Sequence, residues 1–253
     1  MAYKSGGTEH IKDDNTVVGF QNVTVTNFYT IDPTPASQGS TSGYTTGGSP
    51  SPNINFLNVI DKFPFSSDAN ATDVGDLTQG RTSLTGTSSS SHAYASGGWL
   101  STRSNVIDRF PFSSDTNATD VGDLINLSNT GAPAMSYDHG YVSGGFTGPP
   151  FLLINVIQRF PFANATTNAT DVGDLTEGTG TSAGHSDNSY GYVSGGRTPP
   201  TGSEFGTYPV RNQIDRFPFA TATTNSADVG DLAQRVLDNK GHSSATHGYS
   251  TGG

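Results

Sequence analysis

Cysteine is absent from the 253 residues, which excludes disulfide scaffolds, thiolate metal sites and a cysteine nucleophile. Basic residues are scarce: 12 Lys and Arg stand against 22 Asp and Glu, a formal net charge of −10 at pH 7. No Lys/Arg cluster could neutralise several phosphates, so a nucleic-acid partner is not expected. Long apolar runs are missing as well. Nothing is long enough to span a bilayer, and the opening Met1–Gly7 lacks the apolar stretch of a signal peptide, so no membrane association is expected. Hydrophobic residues make up only 32%, too little for one thick core, and no helix signal of useful length occurs. Short strands and turns, or a repeat array burying thin faces, suit such a composition.

Aromatic residues are plentiful: 14 Phe and 10 Tyr argue for an ordered chain. They recur with a period. Asn58-Val59-Ile60-Asp61-Lys62-Phe63-Pro64-Phe65 returns almost unchanged at 105–112, 155–162 and 212–219. Asp-Val-Gly-Asp-Leu follows each copy, beginning at Asp73, Asp120, Asp171 and Asp228. A third element, Tyr-x-Ser/Thr-Gly-Gly, ends at Gly48, Gly98, Gly145, Gly196 and Gly253. Its copies are 50, 47, 51 and 57 residues apart, the period of a propeller blade.

Each element reads as a strand. Val59, Phe63 and Phe65 alternate to one face and Ile60 and Lys62 to the other. Pro64, which cannot donate to a ladder, marks an edge or a strand exit. The Ser/Asp/Asn/Thr-rich stretch 66–72 favours a hairpin turn, from which Asp73–Leu77 pairs back. Four short strands per unit follow.

Tyr192-Val193-Ser194-Gly195-Gly196 followed by Asn212-Gln213-Ile214-Asp215-Arg216-Phe217-Pro218-Phe219 resembles the Kelch family of β-propellers. The resemblance covers about residues 36–253 and implies an all-β, Kelch-like propeller of about five four-stranded blades. Kelch units usually carry Trp on the fourth strand, where this chain has Val74, Val121, Val172 and Val229, so thinner packing between blades is implied. The Gly-Gly element occurs five times and the other two four times, leaving Gly241–Gly253 as half a unit. Residues 1–35 either supply the missing strands, through the β-prone run Val17–Tyr29, or form a separate docking arm.

Candidate chemistry follows the repeat. His92, His139 and His247 lie two residues before the Tyr of the Gly-Gly element, and His185 and His242 seven before it, a placement that favours scaffold over catalysis. The pairs Asp73/Asp76, Asp120/Asp123, Asp171/Asp174 and Asp228/Asp231 meet the needs of a calcium loop only in part, and turn bonding is the simpler role. Asn-x-Ser/Thr occurs at Asn22, Asn70, Asn117, Asn126, Asn164 and Asn168, which read as turn residues. No catalytic residue, metal site or cofactor is assigned. The loops after each Gly-Gly, residues 49–57, 99–104, 146–154 and 197–211, do vary, and they carry aromatics. Trp99, Phe146, Phe151, Phe205 and Tyr208 are the candidate binding residues, either as a recognition surface or as packing among loops or between subunits of a homo-oligomer.

The near-verbatim Phe-Pro-Phe and Asp-Val-Gly-Asp-Leu copies also resemble repeat proteins of marine bacteriophages, cyanophages in particular. That resemblance implies a non-enzymatic virion protein: a tail, fibre, neck or capsid-decorating component. Its expected partners are other virion proteins and host-surface glycans, and release by lysis would need no signal peptide. The alternatives are a glycan-processing enzyme on a propeller, which would need a unique acid pair, and a cellular Kelch-type adaptor, which would need a partner domain.

Overall fold

The computed structural model describes residues 41–50, 55–148, 152–163, 166–200, 208–221, 223–244 and 246–253, with the backbone of 4–5 and 8–9. The chain forms two compact units, residues 1–32 and 33–253. In the first, β1 (Lys4–Ser5) and β2 (Thr8–Glu9) pair as a short antiparallel ladder. The run Val17–Tyr29, expected either to close a ring or to dock, lies outside the described residues.

The second unit is all-β and propeller-like, a series of small antiparallel sheets that follow the repeat. The first sheet holds β3 (Ser42–Thr46), β4 (Val59–Pro64) and β5 (Thr72–Asp76) in that order. The second has four strands: β6 (Thr85–Ser88), β7 (His92–Ser96), β8 (Val106–Pro111) and β9 (Thr119–Asp123). The third repeats it with β10 (Ala132–Met135), β11 (His139–Ser143), β12 (Val156–Pro161) and β13 (Thr170–Asp174). The fourth does so with β14 (Ala183–Ser186), β15 (Tyr190–Ser194), β16 (Gln213–Pro218) and β17 (Ala227–Asp231). A final hairpin pairs β18 (Lys240–Ser243) with β19 (Gly248–Thr251).

Local chemistry sets these strands. The prolines expected at strand exits are the last residues of β4, β8, β12 and β16. In each Asp-Val-Gly-Asp the first carboxylate accepts from the Gly N–H two residues on, at 3.1 Å for Asp73 and 3.0 Å for Asp120, Asp171 and Asp228. These bonds are the turn role assigned to the aspartates. They coincide with a register shift in which two residues face one, a β-bulge between Val59 and Asp61 and at the equivalent points. Gly75, Gly122, Gly173 and Gly230 take φ from 142° to 154° there, a region open to glycine alone.

Neighbouring sheets pack face to face, and their first strands, β6, β10, β14 and β18, run side by side. That approach is tight. A β-carbon on Gly184 would overlap the Pro133 carbonyl, and one on Gly241 the Gly184 carbonyl. The third strand of the second and third sheets is therefore covered on both sides. Ile107 and Phe110, on opposite faces of β8, are 0% and 3% exposed. Ile60, assigned with Lys62 to the face away from the phenylalanines, is likewise 0% exposed because the next sheet covers it.

Each interface uses one formula. The earlier sheet contributes Tyr, Ile, Val and Leu, and the later one a Phe and a small apolar residue, joined by Ala118 and Ala169 at the first two interfaces and by Ser226 in their place at the third. Between the second and third sheets these are Tyr94, Ile107, Val121 and Leu124 against Phe160, Ala169 and Val142. The Tyr ring meets both phenylalanines of the next Phe-Pro-Phe. Centroids lie 5.4 and 5.3 Å apart for Tyr44 with Phe110 and Phe112, 5.5 and 4.9 Å for Tyr94 with Phe160 and Phe162, and 5.5 and 4.8 Å for Tyr141 with Phe217 and Phe219. Asn117, Asn168 and Asn225 accept from the N–H groups of Asp76, Asp123 and Asp174 at 3.1, 3.0 and 3.0 Å. Two of the Asn-x-Thr matches, Asn117 and Asn168, are thus clips between sheets.

Candidate functional site

The loops after each Gly-Gly begin as a continuation of the hairpin they leave. Trp99 exchanges backbone hydrogen bonds with Thr82 at 2.9 and 2.7 Å, Phe146 with Asn129 at 3.2 and 3.0 Å, and Arg197 with Gly180 at 3.1 and 2.9 Å. The residue after each pinned partner is left-handed: Ser83, Thr130 and Thr181 have φ of 57°, 58° and 56°, and Asp238 takes 57° at the same repeat position. For β-branched Thr130 and Thr181 this is a costly backbone state that persists only where the surroundings impose it. A chain of backbone bonds imposes it. Thr130 N–H donates to Ser83 O at 3.1 Å, Thr181 to Thr130 O at 3.2 Å, and Asp238 to Thr181 O at 2.9 Å.

These four residues line a cavity of about 700 Å³ between the first strands, together with Thr45, Lys240 and His242. Buried hydroxyls of Thr130 and Thr181 find no hydrogen-bond partner. Because Thr82, Asn129 and Gly180 carry the loops and immediately precede the left-handed residues, the variable loops open on the same end as this cavity. The candidate site is this polar, hydroxyl-lined cavity together with the aromatic loops on the same end.

The structure brings some candidate aromatics together. Phe146 and Tyr208, from consecutive loops, meet edge to face at 5.6 Å. Trp99 lies under the Arg103 guanidinium, 5.2 Å from the ring centroid, and Arg103 Nε donates to Asn129 Oδ1 at 2.9 Å. Trp99, Phe146 and Tyr208 are each half-buried. Phe151 and Phe205 lie outside the described residues. Leu152, beside them in the loop sequence, is 55% exposed while Leu153 is buried.

The histidines take two structural roles. His92 and His247 bond the hydroxyls of Ser91 and Thr246, each at 2.8 Å, and His139 meets the Asp138 carboxylate at 2.8 Å, all at hairpin turns. His185 is buried. Its Nδ1 lies 3.2 Å from the His242 carbonyl, which can only accept, so Nδ1 carries the proton and Nε2 accepts from the Ser194 hydroxyl at 2.9 Å. Burial, the larger influence, pushes this imidazole below its usual value, against the smaller opposing effect of the His242 carbonyl. Ser194 is 1% exposed, and its repeat equivalents Ser96 and Ser143 are equally buried, so the pair bridges strands.

A buried ion pair escaped the sequence reading. Asp108, 0% exposed in the middle of β8, is bonded by Arg81 Nη2 at 2.6 Å and by the N–H and hydroxyl of Thr78 at 3.1 and 2.6 Å. At the equivalent position of the fourth sheet, Asp215 receives Arg211 Nη2 at 3.1 Å and the Thr176 hydroxyl at 2.7 Å. In the third sheet the position is neutral Gln158, whose Oε1 accepts from Ile125 and Asn126 N–H at 2.7 and 3.2 Å. Among the described residues no group of three or more His, Asp or Glu is arranged to hold a metal ion, and no helix is long and apolar enough to cross a membrane.

No known protein family matches the chain, and no curated protein matches it. Among solved structures it is similar to one titled "Structure of YjhT", with a TM-score of 0.65 and 11% identity, over 83% of this chain and 69% of that one. At that identity the likeness concerns the fold.

Proposed function

We propose that the chain is a non-enzymatic binding and assembly module of a bacteriophage virion, built as a Kelch-like propeller of about five blades and taking host-surface glycan on its loop face. One observation carries the glycan reading: Trp99, Phe146 and Tyr208 stand on loops that leave the same strand ends as a cavity whose wall is a repeated series of Ser, Thr and Asp residues. Sugars are bound by aromatic faces against C–H surfaces and by polar groups toward hydroxyls, and this end offers both. The strained Thr130 and Thr181 fit a preformed site, since such strain clusters where ligands are clamped. Assembly into a particle, in company with other virion proteins and as a homo-oligomer, follows from the resemblance of the repeats.

Two measurements test the reading. Glycan-array binding by the intact protein should be lost in Trp99→Ala and Tyr208→Ala while the far-ultraviolet spectrum is kept; binding that survives both substitutions would remove the loop face from the proposal. Negative-stain imaging of purified particles with a labelled antibody should decorate virions, and absence from particles would sink the virion assignment.

A further inference from the structure

Three interfaces of this chain share a formula, and among the described residues the flank of the fourth sheet presents its first half alone. Tyr192, Ile214, Val229 and Leu232 are the exact repeat counterparts of Tyr94, Ile107, Val121 and Leu124. Where the next sheet is complete, Val121 and Val172 are 6% and 7% exposed and Leu77, Leu124 and Leu175 between 2% and 3%. On the fourth sheet Val229 is 43% exposed, and Tyr192, Ile214 and Leu232 are only partly covered. They line a groove of about 280 Å³ whose opposite wall is β19, through Gly248 and Ser250. β19 pairs with β18 along one edge, and among the described residues its other edge is unpaired. Equally, the described residues put no asparagine beside Asp231 to match Asn117, Asn168 and Asn225.

We propose that this flank is a docking site for a strand–turn–strand segment of a partner polypeptide. Its first strand carries phenylalanines at alternate positions, and its second opens on Asn-x-x-Asp. The first strand adds antiparallel to the free edge of β19, as β12 adds to β11, where Tyr141 faces Arg159 and His139 faces Pro161. By that register a basic residue falls opposite Tyr249, and the two phenylalanines close on the Tyr192 ring from about 5 Å, as they do on Tyr94 and Tyr141. The second strand covers Val229 and Leu232 and brings its asparagine to the Asp231 N–H. The occupant's chemistry is read from three seated examples in the same chain, with which this groove is continuous. The proposal is independent of the glycan reading, because the groove lies on the flank of a sheet and involves none of the loop aromatics.

The probe is a synthetic peptide with the sequence of residues 155–176, tested against the full chain. In the protein alone, the amides of Gly248 and Ser250, which the register with β18 turns toward the free edge, should exchange rapidly at every concentration. Adding the peptide should give saturable binding by titration calorimetry and slow that exchange. A peptide with serine at both phenylalanine positions, the protein variant Tyr192→Ala, and the surface variant Val229→Lys should each weaken binding at least tenfold. Val229→Lys changes an exposed side chain, so its fold is secure if Tyr192→Ala proves unstable. No binding, or binding indifferent to loss of the phenylalanines, overturns the proposal. So does protection of Gly248 and Ser250 in the protein alone: if independent of concentration, the chain covers the groove itself; if concentration-dependent, a second copy does.

Discussion

Replacing Arg81 by Ser and Asp108 by Gln, singly and together, would import into one interface the pair used in the next, Ser128 with Gln158. Arg81 and Asp108 are both 0% exposed, with Nη2 2.6 Å from Oδ2, and Arg81 Nη1 also donates to the Gly97 and Val106 carbonyls at 2.6 and 3.0 Å. Burial pushes the guanidinium below its usual value, and Asp108 opposes that shift. Removing Arg81 alone leaves a buried carboxylate held only by Thr78, at a cost of about 3–5 kcal/mol. Asp108→Gln alone strands the guanidinium, with a loss of similar size. The double variant removes both charges and keeps an acceptor for the Thr78 N–H, so its cost should fall to about 1–3 kcal/mol, chiefly the lost packing of the arginine stem. The coupling energy is then at least about 2 kcal/mol, beyond what independent sites show. Urea unfolding followed by the single tryptophan, Trp99, measures all four states of the cycle. Additive single costs would refute the claim that the two charges are present only because each neutralises the other.

Tyr141→Ala should cost about 3–5 kcal/mol, because it empties a site 2% exposed between two Phe rings, whereas Tyr192→Ala at the same repeat position should cost less than half as much; equal losses of unfolding free energy would contradict the open flank. Gly184→Ala should destabilise by about 1–3 kcal/mol or more through overlap with the Pro133 carbonyl, while Gly86→Ala, whose β-carbon meets nothing, should be neutral or slightly stabilising in thermal melts. Burial depresses the His185 imidazole and also that of His92, so below about pH 6.5 the unfolded chain binds protons that the folded chain refuses. Stability should therefore fall as pH drops through that value, by up to about 1.4 kcal/mol per pH unit for buried His185 and by less for the more exposed, solvent-screened His92, and His185→Gln should flatten the slope measured by denaturation from pH 7.5 to 5.

The strand content and order were legible because each element is named by residues with a local reason to be where they are. Proline ends a strand, aspartate closes its own turn, and Gly-Gly leaves a hairpin. The assignment of the repeated aspartates to turns and of the repeated histidines to scaffold rested on that logic, and the bonds of Asp73, Asp120, His92 and His247 follow it. Alternation could not tell that both faces of the Phe-Pro-Phe strand are covered, because period 2 separates faces without saying how many neighbours a sheet has. Ile60 was therefore assigned to the side away from the phenylalanines with no cover inferred for it. The Arg81–Asp108 pair was missed because its members stand 27 positions apart in different elements. A signal did exist, in the concerted change from Asp at 108 and 215 to Gln at 158.

That change follows from how the array is held together. Each interface must satisfy a polar group at the centre of its third strand, and the chain does so in three ways. Asp108 draws a guanidinium from the turn of the preceding sheet, Asp215 draws one from Arg211 in its own loop, and Gln158 needs none, the repeat counterparts of those arginines being Ser128 and Ile154. Charge and counter-charge appear and vanish together within one sequence, as desolvation requires when an unpaired buried ion costs several kcal/mol. Asp61, in the first sheet, has no such arginine among the described residues and is only half-buried. The interfaces are thus solved one at a time by nearest neighbours, which is why the repeat can be nearly verbatim in its apolar residues yet free in its polar ones. It is also why the flank of the fourth sheet is chemically specific: with Tyr192, Ile214, Val229 and Leu232 in place it is already shaped for one kind of neighbour, and it accepts that neighbour by the same contacts that hold the other interfaces.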